Sequence, residues 1–330
     1  MRRARCKPRS VSGGKTTMNA NPAVAGQTMI GQDWHDRSWQ SEDGLSLHYR
    51  DYSGPDGADL LPVICIPGLT RNARDFAGLA SHLSQHRRVI CVDLRGRGDS
   101  DFAKDAATYQ PLQYAQDVIA LMDQAGLDRA AFIGSSLGGL VTMTIAMSRP
   151  ALIAGAVLND VGPKIEKAGL ERIADYVGQQ RSFPTWMHAA RSLQENHGAI
   201  HPDWGVIDWL AEAKRVMVLG NNGRITFDYD MRIGEGFADA VDEAAGLDLW
   251  PAFETMARYP LVVVRGENSD ILSDTVAREM QGRMSNIELV TVPGTGHLPT
   301  LAEPEVMQAI EHLLNERLIE QPLSSGRAGG

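Results

Sequence analysis

Only three cysteines, Cys6, Cys65 and Cys91, occur in 330 residues. Two of them lie inside apolar, strand-like runs, so neither a disulfide framework nor a metal cluster is expected to hold the fold. The chain also lacks an apolar run of about 18 residues, which excludes a spanning helix. Charged residues make up 22% of the chain, and with abundant glycine this excludes a long coiled coil or a wholly disordered polymer. Acids are missing from one stretch. Residues 1–32 carry Arg2, Arg3, Arg5, Lys7, Arg9 and Lys15 without a single Asp or Glu. Setting these six cations aside turns the formal charge of −9 into −15 for the remainder. A body that acidic repels phosphate backbones, so no nucleic-acid partner is expected.

The basic segment 1–32 has no apolar core of a secretory signal and reads as a disordered leader, with 320–330 as a flexible tail. Ser12-Gly13-Gly14-Lys15-Thr16 is not a phosphate loop, because Arg9 stands where that pattern needs a glycine. With neither membrane segment nor disulfide set, the expected location is cytoplasmic, and no membrane partner is expected.

What is present is a core: 43% of residues are hydrophobic, enough for one large domain with an elaboration. Residues 37–52 read as a hairpin turning at Ser41-Glu42-Asp43-Gly44, with Leu45, Leu47 and Tyr49 alternating with polar neighbours. The runs 63–66, 89–92 and 130–133 are continuously apolar, as suits strands covered on both faces. Apolar residues at helical spacing over 112–125 and 137–149 follow, then a strand at 153–158. Strand and helix alternate again at 261–264, 273–283, 287–292 and 304–318. This alternation predicts an α/β sheet flanked by helices, with the core over 33–159 and 246–319. Residues 160–245 interrupt it with helical patches. The span 160–255 holds ten of the twenty aromatics, including Trp186, Trp204 and Trp209, as a helical cap over an apolar ligand cavity would.

Gly134-Ser135-Ser136-Leu137-Gly138 joins an apolar strand to an apolar helix. A serine on such a sharp turn presents its hydroxyl above the sheet edge, and the helix N-terminus beneath supplies N–H donors. Ser136 is therefore the candidate nucleophile. It needs a base, and His297, in the loop Pro293-Gly294-Thr295-Gly296-His297 after the last strand, is the candidate. His197 and His201 are four apart, but Gly198 and Pro202 spoil a metal-binding helix and no third ligand stands out, so no metal is expected. The base needs an acid. Asp270, in the loop after strand 261–264, ranks first, ahead of Asp160 and Glu267. In the loop after strand 63–66, Gly68 permits an inward-turned amide, so the backbone N–H groups of Leu69 and Leu137 are the expected oxyanion donors.

These motifs, with Asp93-Leu94-Arg95-Gly96-Arg97-Gly98-Asp99-Ser100, resemble the α/β-hydrolase superfamily over residues 36–318, in its capped esterase, lactonase and C–C-bond-hydrolase branch. The resemblance implies an eight-stranded, mostly parallel sheet, a cap inserted after the sixth strand, and no cofactor. Two departures stand out: Pro67-Gly68 where many members have His-Gly, and a Gly266–Asp270 spacing one residue longer than in many relatives. The expected function is a serine hydrolase of a small or medium, mainly apolar carboxylic ester or lactone, with Arg71, Asn72, Trp186, Trp204 and Trp209 as substrate contacts. The alternatives are C–C hydrolysis of ring-fission diketones and a non-catalytic small-ligand receptor. A serine nucleophile argues against dehalogenation and epoxide opening, which use an aspartate.

Overall fold

A computed structural model describes residues 33–57 and 60–318; the expected leader and tail lie outside the described residues. The hairpin expected at 37–52 is formed by β1 (His35–Gln40) and β2 (Ser46–Tyr52). Its turn closes through Ser41, and Gly44 takes a φ of +83°, which glycine adopts without steric cost. The chain continues through β3 (Val63–Ile66), α1 (Ala77–Leu83), β4 (Val89–Val92), α2 (Pro111–Ala125), β5 (Ala130–Ser135), α3 (Leu137–Ser148) and β6 (Ile153–Asn159). It then leaves the sheet through α4 (Lys167–Ala174), β7 (Ser182–Phe183), α5 (Trp186–His197), α6 (Val206–Val216), β8 (Met217–Leu219), β9 (Ile225–Phe227), α7 (Val241–Gly246) and α8 (Trp250–Glu254). It returns with β10 (Leu261–Gly266), α9 (Asp274–Arg283), β11 (Ile287–Val292) and α10 (Pro304–His312).

The main sheet has eight strands in the order β1-β2-β4-β3-β5-β6-β10-β11. Pairing is antiparallel at β1–β2 and β2–β4 and parallel elsewhere. The continuously apolar runs are its central strands: every residue of β3, β4, β5, β6 and β10 is buried, because helices cover both faces. Cys65 and Cys91 are free, buried and paired in register across β3 and β4. Helix α2 starts on Pro111, stops at Gly126 with φ +65°, and buries Tyr114, Ala115, Val118, Leu121 and Met122. Each large apolar side chain there contributes about 1.5–3 kcal/mol through burial. Asp93, at the end of β4, is buried and accepts hydrogen bonds from His48 Nδ1 at 2.8 Å and from the Ala73 and Asp99 amides.

The cap departs from the expected all-helical insertion. Besides its helices it contains a small antiparallel sheet, β7-β9-β8. Strands of two or three half-exposed residues leave no periodicity to read. Leu170, Ile173, Tyr229 and Ile233 form one apolar cluster of the cap, and Ala189, Leu193, Trp209 and Ile225 form another. Among the described residues, no helix is long and apolar enough to cross a membrane.

Candidate active site

Strand β5 and helix α3 meet at Ser136, whose backbone is held at φ 51°, ψ −114°. A side chain there is forced out of the ordinary allowed regions, at a cost of about 1–3 kcal/mol that the surrounding packing must offset. The two glycines of the motif make the turn possible. A Cβ on Gly134 would lie 2.4 Å from the Gly138 carbonyl oxygen, and one on Gly138 would lie 2.0 Å from the Ile66 carbonyl oxygen. Strand and helix thus approach so closely that no larger residue fits at either position.

His297 Nε2 lies 3.0 Å from Ser136 Oγ, and His297 Nδ1 lies 2.7 Å from Asp160 Oδ2. The carboxylate can only accept, so Nδ1 carries the proton and Nε2 faces the serine hydroxyl as acceptor. The side chain of His297 is 8% exposed and that of Asp160 fully buried, so both interactions sit in a weakly screened environment. Asp160 directly follows β6 and has a φ of 57°. Its amide donates to the Val264 carbonyl at 2.8 Å. The Gly266 amide donates to Oδ1 at 2.9 Å, and the Ser269 hydroxyl donates to Oδ2 at 2.6 Å.

This corrects the ranking of acids. Asp270 points elsewhere, into a two-pronged pair with Arg172 whose Nη2–Oδ1 distance is 2.8 Å, and its side chain remains 31% exposed. Burial pushes the Asp270 carboxyl up, but the Arg172 hydrogen bonds and charge outweigh it, so the group lies below the usual carboxylate range. Glu267 is also turned away, accepting from the Gly294 amide at 2.7 Å. Strands β6 and β10 are neighbours, so acids at the ends of both come near His297. The backbone geometry at Asp160 aims that side chain at the imidazole.

Leu137 is the first residue of α3, and Gly68 packs against Ser136, where a Cβ on Gly68 would lie 3.7 Å from the serine Cβ. Among the described residues, neither the Leu69 nor the Leu137 amide donates to a backbone carbonyl outside regular elements. The Leu69 carbonyl, in contrast, accepts from Arg97 Nε at 2.9 Å. Arg97 is fully buried and lies over the rings of Tyr109 and Tyr114, 5.6 and 4.7 Å from their centroids.

A cavity of about 140 Å³ opens beside Ser136 and His297, under the cap. Of the expected substrate contacts, Arg71, Trp204 and Trp209 line it. Asn72 and Trp186 do not. Asn72 is buried, donating to the Arg215 carbonyl and accepting from the Arg74 amide. Trp186 packs within the cap. The lining also includes residues that local pattern did not single out, Arg172, Tyr176, Glu212 and Arg215 among them. Their charges are paired: Arg71 with Asp75 and Glu212, Arg215 with Glu212, and Arg172 with Asp270. His197 and His201, spaced like metal ligands in the sequence, instead form part of the wall. His201 stacks on Trp204 at 3.9 Å and His197 meets Tyr176 edge-on at 5.1 Å. Burial pushes both imidazoles down to about 4, so both are neutral near pH 7. The cap is also tied to the loop bearing His297, since the Gly296 amide donates to the Ile200 carbonyl at 2.8 Å.

Outside this cavity, His48, Asp93 and Asp99 are the acid–imidazole group close enough to hold an ion among the described residues. His48 spends Nδ1 on Asp93 and Nε2 on Asp36, and the Asp93 oxygens already accept two amides. This donor set serves the fold and does not converge on a vacant centre.

A family model described as alpha/beta hydrolase fold matches residues 62–304. The crystal structure of an alpha/beta hydrolase from Novosphingobium aromaticivorans superposes with a TM-score of 0.81 at 56% identity, covering 86% of this chain and 98% of that one. A 3-hydroxybutyrate-oligomer hydrolase from Cupriavidus necator is 33% identical over 267 residues, 78% of this chain and 89% of the relative. An sn-1-specific diacylglycerol lipase from Mus musculus is 35% identical over 269 residues, 80% of this chain and 84% of the relative. Fold, elbow geometry and relatives agree: the chain belongs to the α/β-hydrolase family and is a hydrolase of that family.

Proposed function

We propose that this hydrolase cleaves a small carboxylic ester or lactone through an acyl-enzyme on Ser136. The observation that carries the reading is the continuous chain from Ser136 Oγ through His297 to buried Asp160, at 3.0 and 2.7 Å. His297 takes the serine proton as the hydroxyl attacks the acyl carbon, and Asp160 stabilises the imidazolium that forms. The Leu69 and Leu137 amides donate to the oxyanion, with the N-terminus of α3 adding its partial positive charge. The proton then passes from His297 to the leaving alkoxide. A water activated by the same imidazole releases the acid and restores Ser136.

The cavity narrows the substrate. Its volume of about 140 Å³ is close to that of a cavity which holds benzene, so a short acyl group of a few carbons fits. The lining guanidiniums all face carboxylates, and both lining cap histidines are neutral. Such a wall favours an uncharged acyl chain able to accept hydrogen bonds, more polar than the mainly apolar ester expected from the sequence. A short hydroxyacyl ester meets this description, in keeping with the name of the Cupriavidus necator relative, a 3-hydroxybutyrate-oligomer hydrolase. C–C hydrolysis of a diketone acid is less well served, because Arg71, the cation nearest its expected role, is engaged by Asp75 and Glu212.

The test is a p-nitrophenyl ester series from acetate to octanoate, with a 3-hydroxybutyrate dimer, combined with fluorophosphonate labelling. Wild-type protein should label at Ser136 and prefer the short esters, and Ser136→Ala should lose both labelling and turnover. Unlabelled wild-type protein, or turnover that survives in Ser136→Ala, refutes the reading.

A further inference from the structure

The loop after β10 holds a hydroxyl whose every hydrogen-bonding position is assigned. Ser269 Oγ accepts from the Ile271 amide at 3.2 Å and from the Leu272 amide at 3.0 Å. A serine hydroxyl has two lone pairs and one proton. With both lone pairs facing amides, the proton is left for Asp160 Oδ2, 2.6 Å away, a distance typical of a hydroxyl donating to a carboxylate. That same oxygen receives His297 Nδ1, and the other oxygen of Asp160 receives the Gly266 amide.

The last residue of β10 and the loop after it therefore grip the carboxylate from both oxygens and define its plane. This matters because Asp160 needs holding. Its backbone lies in the left-handed region at φ 57°, and its side chain has no solvent to orient it. His297 sits on a loop of its own and cannot set the carboxylate's orientation while depending on it. We propose that Ser269 is a positioning residue for the catalytic acid: it orients Asp160 so that Oδ2 holds His297 Nδ1 in the tautomer that lets Nε2 take the serine proton. The assignment rests on the acyl-enzyme reading of Ser136, His297 and Asp160. It adds a fourth side chain, which does not touch substrate and acts through the acid.

The experiment compares wild type, Ser269→Ala, Ser269→Thr and Asp160→Asn on p-nitrophenyl butyrate, with kcat and KM resolved. The low-field proton NMR resonance of the His297 Nδ1–H is recorded alongside. A hydrogen bond to a charged group is worth enough to change a rate by about ten- to hundredfold. Ser269→Ala should therefore lower kcat by about that factor with KM within about twofold, and should broaden or abolish the low-field resonance. Ser269→Thr keeps the hydroxyl and should recover most of the rate and the resonance. A kcat in Ser269→Ala within twofold of wild type, or a threonine variant as impaired as the alanine one, overturns the proposal. An Ala variant that fails to fold leaves the comparison of Thr with wild type, where a lost resonance in folded protein counts against it. If Asp160→Asn itself retains full turnover, Asp160 is not the catalytic acid, and the role of Ser269 falls with that assignment. If Asp160→Asn collapses while Ser269→Ala is silent, only the role of Ser269 falls.

Discussion

Replacing Asp160 by Asn separates the two candidate acids. Three donors surround that side chain: the Gly266 amide, the Ser269 hydroxyl and the protonated Nδ1 of His297. A carboxylate satisfies all three. An asparagine offers one acceptor oxygen and an NH2, so one donor must face another donor. The least costly escape is for His297 to shift its proton to Nε2 and accept at Nδ1, which aims an N–H at Ser136 where a lone pair is required. The wrong tautomer and the lost imidazolium stabilisation together cost about 10⁴ in kcat at the equivalent position of a serine protease. A fall of about 10³–10⁴ is therefore expected for Asp160→Asn on a chromogenic short-chain ester. Asp270→Asn breaks only the partly exposed pair with Arg172 and should change kcat by less than about tenfold, since such pairs contribute little. Circular dichroism of both variants checks that the fold survives. If Asp270→Asn collapses the rate and Asp160→Asn stays within tenfold of wild type, the tautomer argument is wrong.

Two further outcomes follow from buried polar groups. Arg97 Nε holds the Leu69 carbonyl at 2.9 Å, in the peptide that follows the Leu69 amide, and so restrains the backbone of the residue expected to donate at the oxyanion. Arg97→Met should lower kcat by about tenfold or more, less than the 10²–10³ seen when an oxyanion donor itself is deleted, with KM little changed; steady-state kinetics would expose the error if KM alone moved. The His48–Asp93 pair shapes the pH dependence of stability. Burial pushes the His48 imidazole down, but its hydrogen bond to Asp93 and that residue's charge outweigh this, so it titrates above 6.5. Burial likewise pushes Asp93 up, and the bonds from His48 and two amides more than reverse it, to below 3.8. The His48 contribution is therefore complete below pH 6.5 and is lost as pH rises through the higher folded value. The Asp93 contribution is present above 3.8 and is lost as pH falls through the lower folded value. Calorimetry should find Tm declining as pH rises above about 6.5, and His48→Gln should flatten that decline. An unchanged alkaline slope in the variant would remove the pair from the account.

What could be read from the sequence was whatever local sterics and periodicity impose. The central strands announced themselves because both their faces are covered. Ser136 was legible because it stands between two glycines that close packing requires, Gly134 against Gly138 and Gly138 against Ile66 of β3, and the two fall within five adjacent positions. His297 was found because it stands in a tight loop after the last strand. The acid was not decidable in the same way. Asp160 and Asp270 both lie just beyond neighbouring strands, and the choice between them turns on the backbone angle at 160 and on a partner for 270, Arg172, that is 98 residues away in the chain. One clue lay in the loop itself. The residue before Asp270 is Ser269, whose hydroxyl bonds to Asp160.

The cap was less legible for a related reason. Its cavity wall is built from pairs such as Arg71 with Glu212, 141 residues apart, and such pairs leave no periodic trace. Each partner, taken alone, looks like an ordinary surface charge. Arg71 in particular reads as a free cation able to hold an anionic substrate, and it loses that role once Asp75 and Glu212 close on it. In this chain the candidate nucleophile sits on a short, sterically defined turn, whereas the cavity wall is assembled from charge pairs distant in sequence. The candidate nucleophile of this chain is therefore legible well before its substrate.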